Sequence, residues 1–129
     1  MLFRSPAALR AVLKAVTKYT DNNGGGGGSV SSYVTSTTDY LFLLSEYEVF
    51  GTIANGNTYE SSKQAQYSYY SAGNSKIKYK HTDTMTAAFW WLRSPHASNS
   101  GRFVNVRTDG TIHNFTAYYS LGVAPGFCV

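Results

Sequence analysis

The stretch Phe89-Trp90-Trp91-Leu92-Arg93-Ser94-Pro95 and the later segment Phe103-Val104-Asn105-Val106 decide the fold. The first is aromatic and apolar and reaches a proline, which predicts a strand that ends at Pro95. The second alternates apolar and polar residues, as a half-buried strand does. Asp109-Gly110 then marks a hairpin turn, and residues 111–115 are predicted to return beside the second strand. The C-terminal third is therefore predicted to be a short-stranded antiparallel sheet.

Helices are predicted to precede this sheet. Ser5-Pro6 is a typical helix start, and an apolar stripe at i, i+3, i+4 and i+7 predicts a helix over residues 1–22. The stripe consists of Leu9, Val12, Leu13 and Val16. Ser45 and Glu48 form a capping box that predicts a short helix ending near Gly51. Helices followed by strands indicate an α+β class, and 129 residues suit one domain over 1–129.

The remaining segments give weaker patterns. Five consecutive glycines lie within residues 23–29 and predict a flexible connector, either natural or an engineered insertion. Residues 40–44 are predicted as a buried strand, 61–71 as a helix and 75–86 as a loop. Residues 122–129 are predicted to close the sheet, so that 88–129 form one sheet region.

Composition limits the function classes. A hydrophobic share of 43% supports a modest core and argues against disorder, while Tyr, at 11 residues, is frequent on binding surfaces. The net charge of +4 is scattered apart from alternating lysines at 76–80, so no nucleic-acid partner is expected. A single cysteine, Cys128, excludes an intrachain disulfide and indicates folding in a reducing cytoplasm. The N-terminal residues lack the apolar run of a signal peptide, and no membrane insertion is expected.

Catalytic motifs are missing from the sequence. The three histidines, His81, His96 and His113, stand in no metal-ligand spacing, so no metal or other cofactor is expected. There is no nucleophile elbow and no pair of cysteines, and in the last third Asp109 is the one acidic residue. We therefore expect that the protein is not an enzyme.

From Tyr40 onward the chain resembles a known family. Residues 41–49, 67–70 and 73–79 are similar to domains of gut-bacterial and prophage proteins. The strongest likeness combines Trp90-Trp91-Leu92-Arg93-Ser94-Pro95 with the ending Gly122-Val123-Ala124-Pro125-Gly126-Phe127. Together these blocks resemble the framework of the variable proteins of diversity-generating retroelements. The resemblance implies a C-type-lectin-like fold and a ligand-binding surface diversified by an error-prone reverse transcriptase.

The amino-acid usage of residues 96–121 fits such diversification. In that family adenines are randomised, largely within asparagine-type AAY codons, and these cannot yield Lys, Glu, Gln, Met or Trp. None of the five occurs between residues 96 and 121, although all occur earlier, and every lysine lies at or before Lys80. A tight sheet with short polar loops is the alternative explanation.

The resemblance and the strand alternation together give a set of displayed, ligand-binding candidates. They are His96, Asn99, Gly101, Arg102, Asn105, Arg107, Thr108, Ile112, His113, Asn114, Phe115, Thr116, Tyr118, Tyr119, Ser120 and Leu121. Ile112, Phe115, Tyr118 and Tyr119 are expected to form an apolar patch rimmed by Arg and His, as interaction sites often do. Phe103, Val106, Arg93, Pro95 and the tryptophan pair are interpreted as framework, with Trp90 and Trp91 on opposite sides of their strand.

The expected function is receptor recognition of a protein or other cell-surface ligand through a hypervariable surface. The protein is expected to be made in a bacterial cytoplasm and displayed on a phage virion or a cell surface. Two alternatives remain: a structural or assembly module of a prophage particle, and an enzyme on the fold of formylglycine-generating enzymes. The paired active cysteines of the latter are absent, as are the calcium ligands of sugar-binding C-type lectins.

Overall fold

The computed structural model describes residues 6–129, which form short helices and strands in one succession. In chain order these are α1 (Ala7–Val12), β1 (Val16–Asp21), β2 (Val34–Asp39), α2 (Glu46–Phe50), α3 (Ser68–Ser71), β3 (Lys78–Lys80), β4 (Asp83–Ala88), β5 (Trp90–Pro95), β6 (Arg102–Val106) and β7 (Ile112–Thr116). Two 3-10 turns, Ser31–Tyr33 and Thr58–Lys63, join them. No helix in this range is long and apolar enough to cross a membrane.

The strands form three small antiparallel sheets. The pairs β1-β2 and β3-β4 make two hairpins, and the third sheet has the order β5-β6-β7. The three-stranded sheet and the turn at Gly110 lie where the sequence predicts them, and Gly110 has the positive φ of 83° that the turn requires. The mixed helix and antiparallel-sheet class, α+β, is confirmed.

The N-terminal helix is much shorter than predicted. Over the described residues it ends at Val12 rather than at residue 22, and it buries no side chain; the predicted cap Ser5 lies outside the described residues. Residues 16–21 instead form β1, which pairs with β2 from Val16↔Asp39 to Asp21↔Val34. Val, Thr and Tyr favour strands, and cross-strand pairing here prevails over the helical spacing of the apolar stripe.

The glycine run joins β1 to the 3-10 turn before β2, but it is not a free tether. Gly24, Gly25, Gly26 and Gly28 all have positive φ, and the amides of Gly26 and Gly28 donate to the carbonyls of residues 96 and 97. A Cβ at Gly25 would lie 2.5 Å from the His96 carbonyl oxygen. The run is a connector, as predicted, and its missing side chains allow a close backbone approach to residues 96 and 97.

Three further predictions need correction. Residues 40–44 form no strand, and Phe42 alone makes a bridge to Gly126. Residues 61–71 hold the end of a 3-10 turn and one helical turn, whereas 75–86 contain most of the β3-β4 hairpin. Residues 122–129 make isolated bridges rather than a closing strand. Such short pairings give no clear sequence period, since so few residues contribute to each.

The core lies between the three-stranded sheet and α2-α3. One face of the sheet contributes Trp90, Leu92, Val104 and Val106, which pack with Val49 of α2 and Tyr70 of α3. The capping box at Ser45 and the left-handed Gly51 that ends α2 are confirmed. These caps fix the short helix against the sheet, because they satisfy amide and carbonyl groups that so short a helix cannot pair internally.

A buried ionic cluster ties the sheet to β1 and α2. Arg93 of β5 contacts Glu48 at 2.5 Å and donates to the carbonyls of Tyr19 and Leu43, while Lys18 lies 2.8 Å from the same carboxylate. Burial alone would raise the pKa of Glu48, but the hydrogen bond and charge of Arg93, with hydrogen bonds from Lys18 and the Ser45 amide, outweigh it and lower the pKa. Arg93 therefore holds β5 against β1 and α2.

Two other buried carboxylates organise the loops beside this cluster. Glu46 accepts hydrogen bonds from the amides of Ala54, Asn55 and Gly56 at 2.6, 3.0 and 2.7 Å. Glu60 accepts one from the Ser94 hydroxyl at 2.6 Å, and burial raises the pKa of Glu60 despite this bond. Side chains, not regular secondary structure, thus satisfy much of the loop backbone.

Candidate binding surface on the outer sheet face

The side of the β5-β6-β7 sheet opposite the core is the candidate site. Cross-strand partners share a face, and the register places Trp91 beside Asn105, Asn105 beside His113, and Phe103 beside Phe115. We call these five residues the outer sheet face. Their neighbours Trp90, Val104 and Val106 are buried in the core, as strand alternation requires. The predicted separation of Trp90 and Trp91 is confirmed, because Trp91 is half-buried on this outer face.

Five rings form a continuous aromatic cluster over one edge of this face. Phe115 is its centre, with ring centroids 4.5 Å from His113, 5.0 Å from Tyr119 and 5.5 Å from Phe89. Tyr119 in turn lies 4.9 Å from Tyr118. Tyr118 is 79% exposed and Tyr119 47% exposed, so the cluster runs from the half-buried sheet out to solvent. Rings held by other rings offer contact area at a low entropic cost.

Asn105 stands in the middle of the outer sheet face and is completely buried. Neither its amide nitrogen nor its amide oxygen has a hydrogen-bond partner among residues 6–129. A buried amide without partners costs roughly 1–3 kcal/mol, and folded proteins rarely retain one without a reason. The expectation that Asn105 is displayed is wrong, because it is buried between its strand partners Trp91 and His113.

His113 carries a second unsatisfied group on the same face. Its Nδ1 is buried and makes no hydrogen bond within the described part of the chain. Burial, followed by the positive charges of Arg107 and Arg102, lowers the pKa of His113. A neutral imidazole therefore adjoins Asn105, and the two residues concentrate unused hydrogen-bonding groups below the aromatic cluster.

An apolar groove continues the face toward β5. Its volume is about 350 Å³, and Leu43, Trp91, Phe103 and Ala117 line it together with Leu92 and Arg93. Ala117 directly precedes the exposed tyrosines, so groove and aromatic cluster adjoin. An exposed groove of this kind suits an apolar side chain of a partner.

Several predicted site residues belong elsewhere. Ile112 pairs with Val106 and packs against the core, so its place in the apolar patch is wrong. Asn114 turns the same way, accepts a hydrogen bond from Arg102 at 2.9 Å and donates one to Asn55 at 2.9 Å. Thr116, the partner of Arg102, is half-buried. Even-numbered residues of β6 and β7 face the core side, which the sequence pattern leaves undefined without the register.

The remaining candidates lie in the connecting turns. Asn99 and Gly101 are exposed in the β5-β6 turn, and His96 in the same turn is half-buried. The amides of Gly26 and Gly28 donate hydrogen bonds to this turn. Arg107 and Thr108 are exposed in the β6-β7 turn, and the charge of Arg107 reaches His113. Ser120 is exposed and Leu121 half-buried after the tyrosines. Ring contacts through Phe115 join His113, Tyr119 and Tyr118 into one cluster.

Several residues of this surface are absent from the predicted set. Leu43, Phe89 and Ala117 lie outside the predicted set, and Phe103 was assigned to the framework although it lines the groove. The odd-numbered alternation of Phe89, Trp91, Phe103 and Phe115 was the available signal, since these residues share one face once the hairpin register is fixed. Over residues 6–129 no three His, Cys, Asp or Glu side chains group to hold a metal ion.

Comparison with known proteins identifies the chain at the level of a family. No curated protein and no solved structure gives a significant match. One family, described as "Domain of unknown function (DUF6273)", matches residues 4–129, which is nearly the whole chain. The protein therefore belongs to the DUF6273 family.

Proposed function

We propose that this protein is a recognition domain that binds a protein or other cell-surface ligand through its outer sheet face and aromatic cluster. The observation that carries the proposal is the unbroken series of ring contacts from His113 through Phe115 to Tyr118, which rises from a rigid sheet into solvent. Aromatic anchors beside an apolar groove are typical of protein contact surfaces.

Unpaired polar groups on the same face support this proposal. Asn105 offers both a donor and an acceptor, and His113 a ring nitrogen, with no partner among the described residues. Arg107 supplies an exposed cation whose charge acts on His113. A ligand that displaces the flanking rings would gain hydrogen bonds with groups that the folded chain leaves unused.

Two exposed tyrosines provide a matched test. Tyr119 belongs to the aromatic cluster, whereas Tyr59 lies outside it, and both are 47% exposed. Fractions of bacterial surface proteins and polysaccharides would be applied to immobilised wild type, Tyr119→Ala and Tyr59→Ala, and retained components would then be purified and titrated. We expect at least tenfold weaker binding for Tyr119→Ala and unchanged binding for Tyr59→Ala. Ligands that bind all three proteins equally would contradict the proposal.

Diversification of residues 96–121 is a second part of the proposal. It is supported by the absence of Lys, Glu, Gln, Met and Trp from this interval, which includes most of the aromatic cluster. The genomic neighbourhood tests it: we expect a near-identical repeat that differs at adenines, next to a reverse transcriptase gene. A locus with neither would favour the structural module of a prophage particle. Display on a virion or cell surface is part of the same proposal and is tested by immunogold labelling.

A C-type-lectin-like arrangement is the finer fold that we propose within the α+β class. In support, a short N-terminal helix, small hairpins and a C-terminal three-stranded sheet follow one another in the chain. The C-terminal segment also forms β-bridges with residues much earlier in the chain, at Lys14↔Cys128 and Phe42↔Gly126. Superposition of an experimental structure on lectin domains would test this, and a different strand connectivity would contradict it.

A further inference from the structure

A second concave site lies between the β3-β4 hairpin and the C-terminal segment. It is a cleft of about 650 Å³ lined by residues 78–82 and 87–90 on one side and 120–124 on the other, with Thr108 at its margin. This volume is in the range that holds small organic ligands. The cleft shares Phe89 with the aromatic cluster, but no residue of the outer sheet face is among its lining residues.

The charge of this cleft is positive. Lys78, Lys80 and His81 line it, and no carboxylate does. Lys78 is half-buried and makes no ion pair within residues 6–129. Its ammonium lies 4.9 Å from the centre of the Trp90 ring, an attraction that orients the cation without neutralising it.

An acidic group, Asp83, lies in the same hairpin. Asp83 pairs with Lys80 and its charge acts on Lys80, while its carboxylate accepts hydrogen bonds from the Thr86 hydroxyl and the Met85 amide. Burial lowers the pKa of Lys78, which reflects the cost of holding a cation away from water. An anion bound beside Lys78 would recover part of that cost.

The remaining lining is apolar. Phe89 and Leu121 are half-buried and Val123 is 66% exposed, so the walls have accessible hydrocarbon surface beside the cations. We propose that this cleft binds a small organic anion, with its charged group at Lys78 and Lys80 and its apolar body against Phe89, Leu121 and Val123. The ligand class is thus an aromatic or aliphatic carboxylate, sulfonate or phosphate monoester.

The test compares a charged probe with a neutral one. Naphthalenesulfonate and naphthalenemethanol share their ring system and differ in charge, and both would be titrated calorimetrically into the intact chain. We expect the sulfonate to bind at least tenfold more tightly than the alcohol. Equal affinity, or no measurable sulfonate binding at millimolar concentration, would overturn the proposal.

Variants locate the binding. Lys78→Gln combined with Lys80→Gln is expected to weaken sulfonate binding about tenfold or more, whereas Lys14→Gln, which removes an exposed lysine outside the cleft lining, leaves it unchanged. Lys78→Arg keeps the charge and is expected to remain within a few-fold of wild type. Unchanged affinity in the double glutamine variant would sink the idea.

Two further measurements keep the test decisive. If the double variant unfolds, the salt dependence of wild-type binding still applies, because charge-driven affinity falls as salt rises and apolar binding does not. A salt-independent affinity would overturn the proposal. Tyr118→Ala, outside this cleft, is expected to keep sulfonate binding, so failure here and failure of the outer sheet face are distinguishable.

Discussion

The two faces of the β5-β6-β7 sheet differ in burial and in the polarity of their side chains. The inner face has Trp90, Leu92, Val104 and Val106, all buried and apolar, packed against two short helices. The outer face carries half-buried rings around an asparagine whose polar atoms have no partner in the described structure. The inner face therefore contributes buried apolar surface that stabilises the fold, whereas the outer face carries half-buried rings and polar atoms without hydrogen-bond partners. The difference assigns the core to one side of these strands and leaves the other side to the recognition role that we propose.

The largest expected effect concerns the ionic cluster around Glu48. Glu48→Gln leaves Arg93 and Lys18, whose side chains are 11% exposed, without their carboxylate. Breaking a buried pair in this way is expected to lower the free energy of unfolding by about 4 kcal/mol near neutral pH. Urea denaturation followed by circular dichroism measures it, and a loss below about 1 kcal/mol would show that solvent screens the pair.

The same variant carries a pH signature. Because the pKa of Glu48 is lowered from its ordinary 4.5, the stability it contributes is present above that value and is lost as the pH falls through the lowered pKa. Glu60 acts in the opposite sense, since its pKa is raised and its contribution is lost as the pH rises. We therefore expect the difference between wild type and Glu48→Gln to shrink on acidification, and a constant difference would contradict the assignment.

Leu92→Ala tests the inner face itself. Leu92 is 1% exposed within the core, and its truncation is expected to cost about 3 kcal/mol of unfolding free energy. Phe115→Ala removes a larger ring from the half-buried outer face and is expected to cost about 1 kcal/mol. Thermal unfolding measures both variants. A larger loss for Phe115→Ala would reverse the comparison and assign the aromatic cluster to the core.

The glycine loop offers a matched pair that tests whether it supports the turn of the outer face. Gly25 and Gly24 have similar positive φ values of 76° and 85°, but a new Cβ meets the His96 carbonyl only at Gly25. We expect Gly24→Ala to cost about 1 kcal/mol from backbone strain alone, and Gly25→Ala about 2 kcal/mol or more. Equal losses in denaturant titrations would mean that the loop does not hold the β5-β6 turn.

The smallest effect has the opposite sign. Asn105→Val replaces an unpaired buried amide with a β-branched apolar side chain, so the free energy of unfolding is expected to rise by about 1 kcal/mol. We also expect the variant to bind the outer-face ligand more weakly, because its hydrogen-bonding groups are gone. Calorimetric unfolding and ligand titration measure the two effects, and a destabilised variant would indicate that the amide supports the fold.

The parts of the fold predicted from sequence are those with local rules. Alternation through Phe103–Val106 and the Asp109-Gly110 turn predict β6 and β7, and the Ser45–Glu48 box predicts α2. β1 is not predicted, because Val16 and its neighbours also fit the spacing of an apolar stripe on a helix. Pairing with β2 decides for the strand, and in most pairs the partner lies fifteen or more residues away in the sequence. The sequence also predicts that Phe115, Tyr118 and Tyr119 lie together, as they do in the aromatic cluster. The burial of Asn105 and the inward turn of Ile112 are not predicted, because they depend on a register that composition does not encode.

Glu46 affects how far the amino-acid sequence of the loop over residues 54–56 can vary. Its carboxylate grips three successive backbone amides, which every amino acid except proline presents alike. The backbone path of the loop thus depends on a glutamate eight to ten positions upstream more than on the side chains of the loop itself. Gly56 is the exception, since a Cβ there would come within 2.9 Å of the gripping oxygen. Residue 54 can accordingly vary in sequence while its backbone keeps its shape, whereas Asn55 is also held by the side-chain hydrogen bond from Asn114.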